Sequence, residues 1–85
     1  MGKHGKLVQK IMSGRQDKSI PFSEVVALLQ SFGFSQRVKG SHHIFYHDGV
    51  EEIINLQPDG SKAKAYQVKQ IRDIFLKYKL EAKDE

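Results

Sequence analysis

The sequence predicts an α+β fold: a three-stranded antiparallel sheet with helices packed on one face, in the order helix, helix, strand, strand, strand, helix. Three observations carry this. Apolar residues recur at helical spacing up to Gly33, alternate from Phe34 to Gln57, and return to helical spacing after Lys64. Two turn dipeptides, Gly40-Ser41 and Asp48-Gly49, cut the alternating stretch into three strand lengths. The chain has 85 residues, enough for one small core, and reads as a single domain over 1–85 with flexible ends at 1–5 and 81–85.

The first helix spans Gly5–Ser13, where Leu7, Val8, Ile11 and Met12 share a stripe and Gly14 follows as a C-cap. "RQDKSIP" is a polar connector. Ser23 then reads as the N-cap of a second helix, with Glu24 in its first turn and Val25, Leu28, Leu29 and Phe32 as its buried stripe. Gly33 ends it. In "FSQRVKG", Phe34 and Val38 face inward and Arg37 and Lys39 outward. "HHIFYH" is a strand of aromatic and β-branched residues, and "VEEIINLQ" a third, punctuated by "PDGS". The last helix covers roughly Tyr66–Lys79, with Val68, Ile71, Phe75 and Tyr78 inward.

Composition narrows the function classes. No 18-residue apolar run exists, so no membrane span is expected, and the N-terminus lacks the apolar core of a secretory signal. Cysteine is absent, which excludes disulfides and thiolate chemistry and suits a cytoplasmic protein. Net charge is +4, but unevenly spread: residues 41–61 hold four acids and no Lys or Arg, whereas Lys62, Lys64, Lys69, Arg72, Lys77 and Lys79 follow. A basic segment of this kind is either a solvated helix face or the footprint of a phosphate-rich partner.

With helices on one side only, the other sheet face stays open, and strand parity decides what it displays. Packing Phe45 inward turns His42 and Tyr46 outward. Together with Arg37, Lys39 and Asn55 they form a platform of cations, an imidazole, a ring and an amide. Such a platform suits nucleic acid: charges for phosphates, a ring for stacking. His43 and His47 share the Phe45 face and read as packing residues. His42 points away from them, so a three-histidine metal nest is not expected, and neither is a cofactor. A neutral imidazole can move protons at cellular pH, and RNA carries its own 2′-hydroxyl nucleophile. Lys62 and Lys64, just before the last helix, sit where backbone N–H groups and the helix dipole favour anions. No Walker loop, dinucleotide fingerprint or catalytic triad is present.

The "GSHHIF" stretch after a basic strand, the preceding "LLQSFGF" and the closing "INLQPDGSKAKAYQVKQIRDIFLKYKL" resemble the HicA-type, or YcfA-like, toxins over roughly Phe22 to Leu80. The resemblance implies a double-stranded-RNA-binding-domain-like fold. It implies an mRNA interferase of a type II toxin–antitoxin pair, needing no metal, whose catalytic histidine maps to His42. Gly40 and Ser41 match the same motif, and a HicB-like antitoxin is the implied protein partner. Arg37, Lys39, Ser41, Tyr46, Lys62 and Lys64 are then the expected RNA contacts. The alternatives are a non-catalytic RNA-binding module of the same fold and a pure protein-interaction domain. The longer N-terminal helix and the acids Asp48, Glu51 and Glu52 depart from the family pattern. The sequence leaves oligomeric state open.

Overall fold

A computed structural model describes residues 5–80. Helix α1 (Gly5–Ser13) is followed by a 3₁₀ turn (Asp17–Ser19) and helix α2 (Phe22–Ser31). Strands β1 (Ser35–Lys39), β2 (His42–His47) and β3 (Val50–Leu56) form an antiparallel meander. A short ribbon of β4 (Pro58–Asp59) and β5 (Lys62–Ala63) leads into helix α3 (Ala65–Tyr78). This is the α+β arrangement expected from the change of period. Of the ends expected to be flexible, 1–4 and 81–85 lie outside the described residues, while Gly5 opens α1.

One buried cluster joins all layers. Leu7 and Ile11 come from α1, Val25, Leu28 and Leu29 from α2, and Val68, Ile71, Ile74 and Phe75 from α3. They meet Phe45, Val50, Ile54 and Leu56 from the sheet. Phe45 is fully buried, and a buried Phe contributes roughly 1.5–3 kcal/mol. Because Phe45 pairs with Ile54 and His43 with Leu56, their shared face is the one beneath the helices. The opposite face carries Ser35, Arg37 and Lys39 of β1, His42, Ile44 and Tyr46 of β2, and Glu51, Ile53 and Asn55 of β3.

Four details differ from the sequence reading. Pro21, not Ser23, occupies the N-cap of α2, and no side chain caps it. Pro21 bridges Lys62 and Phe22 N–H donates to the Ser61 carbonyl, so tertiary pairing sets the helix start. Val38 lies on the inner parity but is 53% exposed, since β1 is an edge strand beyond the reach of the helices. Within the polar connector, Ile20 is fully buried and its carbonyl accepts from Ala63 N–H at 2.9 Å. The "PDGS" punctuation is itself the turn of the β4–β5 ribbon.

The free edge of β3 is closed by side chains of α3. Gln67, 2% exposed, donates through Nε2 to the Asn55 carbonyl at 3.2 Å and accepts from Gln57 N–H at 3.4 Å. Tyr78 Oη accepts from Glu51 N–H at 3.2 Å. These contacts satisfy backbone groups that an edge strand otherwise leaves open to pairing with another chain.

Candidate functional site around His42

The β1–β2 hairpin turns through two residues, and Lys39 pairs with His42 directly across it. Gly40 adopts φ 62° while Ser41 keeps a negative φ, the pattern of a type II′ turn that wants glycine at its first central position. A Cβ at Gly40 would meet open space. The glycine is therefore there for its backbone angle.

His42 is exposed at the head of β2, on the uncovered face. Its Nδ1 lies 3.2 Å from Asn55 Oδ1 on β3. With the amide oxygen toward the ring, Nδ1 carries the proton and Nε2 presents a free lone pair. A second chain of contacts starts one residue earlier. Gln57 Nε2 donates to Ser41 Oγ at 3.2 Å, and Lys64 Nζ donates to Gln57 Oε1 at 3.4 Å. Lys64 is the N-cap residue of α3. The basic loop and the histidine turn, with Lys64 and Ser41 23 positions apart in sequence, are thus tied together through one amide.

A family model for the HicA toxin of bacterial toxin–antitoxin systems matches residues 22–78, from the first residue of α2 to the last of α3. The chain belongs to the HicA toxin family. No curated protein and no solved structure gives a significant match. Membership brings with it an antitoxin partner as the other half of the pair.

In this HicA-family chain the sequence-chosen residues fall into groups. Lys39, Gly40, Ser41, His42 and Lys64 meet around the β1–β2 turn. Arg37 is one pleat away, opposite Ile44 on the same face. Tyr46 shares that face and is 44% exposed, but it stands four residues along β2 from His42, about 13 Å at strand rise. Lys62 is exposed on β5, where with Lys64 and Lys18 it lines a groove beside the start of α3. His43 packs edge-on against Phe22 at 5.0 Å, and His47 tilts against Phe34 at 5.0 Å. His47 Nδ1 also accepts from Gly49 N–H at 2.8 Å. Both do the packing work expected of them. Among the described residues no helix is long and apolar enough to cross a membrane.

The basic helix needs correcting. Arg72 Nη1 and Nη2 grip Asp17 at 2.9 and 3.2 Å, and Nη1 also donates to the Ile11 carbonyl at 3.0 Å. This grip raises the guanidinium pKa above its ordinary value. Lys69 pairs with Asp73 at 3.2 Å, and Lys77 with Glu52 at 2.9 Å. Glu52 is held down to about 2, first by the Tyr78 hydroxyl that donates to it and then by Lys77. Three of the six cations of the closing segment are thereby engaged within the fold. Glu52, one of the acids that depart from the family pattern, is the counterpart of Lys77.

Sequence reading missed Gln57, Gln67 and Lys18. Asn55 was placed on the open face but given no task. Parity could have shown that Asn55 lies diagonal to His42. Nothing local in the sequence shows that a glutamine on α3 turns back onto β3.

Proposed function

We propose that this HicA-family protein is a metal-independent endoribonuclease that cleaves mRNA, with His42 as its proton-transfer residue. The supporting observation is the His42–Asn55 contact, which engages Nδ1 of an exposed ring and leaves Nε2 with no hydrogen bond among the described residues, with Lys39 paired directly across the turn. In this reading Nε2 takes the proton of a ribose 2′-hydroxyl. The 2′-oxygen attacks the adjacent phosphorus, the P–O5′ bond breaks, and the 5′-oxygen takes a proton from water. The products are a 2′,3′-cyclic phosphate and a 5′-hydroxyl. Lys39 and Lys64 neutralise charge on the phosphorane, and Arg37, Lys62 and Ser41 hold flanking phosphates. Tyr46, farther along the face, stacks on a base.

Asn55 acts as a positioning residue, and Gln67 supports it by clamping its backbone. A HicB-like antitoxin that covers this face would silence the enzyme by burying His42. The test is incubation of purified protein with single-stranded RNA and analysis of the new ends. A cyclic phosphate supports the enzyme. Salt-dependent binding with RNA left whole would make the protein a non-catalytic RNA-binding module instead.

A further inference from the structure

Beside His42, the outer side of β3 and the start of α3 enclose an open cleft of about 270 Å³. Its floor is Ile53, 62% exposed, and its far wall is Tyr66, 66% exposed. Asn55 and Gln70 add side-chain amides, and none of the lining residues is an acid, lysine or arginine. Gln70 stands one helical turn from Tyr66, so the ring and the amide project from one face of α3. Gln57 and Gln67 spend both ends of their amides on internal hydrogen bonds. Among the described residues, no hydrogen bond engages the Gln70 amide, the Asn55 Nδ2 or the Tyr66 hydroxyl.

Two large apolar side chains left in water, next to unused amide groups, suit a flat ligand with polar edges. The absence of charge argues against a phosphate in the cleft itself. The phosphate-type lining lies on the other side of Tyr66, where Lys18, Lys62 and Lys64 share a groove with one acid, Asp59. Tyr66 therefore divides a cationic groove from a neutral cleft. A nucleotide strand has the same division between its backbone and its bases. Beyond Gln70 a further groove along α3 is lined by Lys69, Asp73, Lys77 and Glu52, already paired with one another. The cleft's small volume fits one base rather than a run of several.

We propose that this cleft is a nucleobase subsite: a base flanking the scissile phosphate stacks on Tyr66 above Ile53, and its edge is read by Gln70 and the Asn55 Nδ2. The inference deepens the ribonuclease reading and rests on it for the place of the scissile phosphate. It makes Gln70 a determinant of cleavage-site preference, and Tyr66 a source of affinity that tolerates any base.

The experiment has a binding arm and a cutting arm. Binding is measured by fluorescence anisotropy in a His42→Ala background, so that cutting plays no part. Tyr66→Ala is expected to weaken single-stranded RNA about tenfold or more, while Tyr66→Phe, which keeps the ring, restores affinity. A ribose-phosphate oligomer without bases is expected to bind with and without the Tyr66 ring equally. In the cutting arm, Gln70→Ala is expected to redistribute cuts in a random-sequence RNA pool. Unchanged RNA affinity in Tyr66→Ala, or equal losses for the RNA and the base-free oligomer, would overturn the subsite. So would an unaltered cut distribution in Gln70→Ala, or Tyr66→Ala losing only the antitoxin. If the unsubstituted protein leaves RNA whole, the ribonuclease reading fails, and the binding arm still decides whether bases enter the cleft.

Discussion

His42 and Asn55 face each other diagonally across β2 and β3, with imidazole Nδ1 3.2 Å from the amide oxygen. With the amide oxygen toward the ring, the contact favours the tautomer in which Nδ1 donates and Nε2 is left as the acceptor. It is also indirectly anchored in the core, because buried Gln67 donates to the Asn55 carbonyl. Asn55→Ala should lower kcat about tenfold, the equivalent of one hydrogen bond of roughly 1.4 kcal/mol. Asn55→Asp should shift the acid limb of the kcat/KM pH profile to higher pH, because a carboxylate favours the imidazolium and the base must be neutral to act. An unchanged pH profile in both variants would remove Asn55 from the positioning role.

The ion pairs within the fold predict which cations RNA does not use. Replacing Lys64 or Lys39 by Ala should reduce the slope of log K against log salt by about 0.7 for single-stranded RNA. Replacing Lys69 or Lys77, each paired with a carboxylate, should leave that slope nearly as it was. Equal slope changes at all four positions would mean that the helix pairs open to admit RNA.

Arg72 should matter for stability instead. Its partners bind α3 to the 3₁₀ turn and to the end of α1, and both members of the pair are largely buried, with side chains 16% and 19% exposed. Arg72→Ala should cost about 2 kcal/mol, discounted from a fully buried pair, and lower Tm by roughly 10 °C in thermal unfolding. A Tm within a degree or two of the parent would contradict this.

Glu52 sets a pH dependence whose sign follows from its depressed pKa. The unfolded carboxyl titrates near 4.5 and the folded one at about 2. Its contribution is complete above 4.5 and is lost as pH falls from there toward 2. In urea titrations, Glu52→Gln should flatten the acid limb of stability in that window and change little of the pH dependence near neutrality. An acid limb as steep as the parent's would move the acid sensitivity elsewhere.

Much of this architecture was legible because period and parity are local. Phe45 inward and His42 outward follow from alternation along six residues, and burial agrees. Val38 obeys the same parity yet is exposed, because parity names a face and not what covers it. Ser23 made a good cap by propensity, but pairing of Pro21 and Phe22 with β5 started the helix earlier. The site was legible in part. The turn, the histidine and the lysines could be read from the chain, whereas the amides that join them come from β3 and α3 and meet only after folding. The charge pattern misled for the same reason: Arg72 and Asp17 are 55 residues apart.

The central claim is that an exposed His42, held by Asn55 beside Lys39, moves the proton in RNA cleavage. The most direct test is end-group analysis of RNA incubated with the parent protein and with His42→Ala, both shown to be folded by circular dichroism. The account predicts 2′,3′-cyclic phosphate ends from the parent and a loss of cleavage of at least a hundredfold in the variant. Cleavage by His42→Ala at the parental rate, with the same ends, would contradict it.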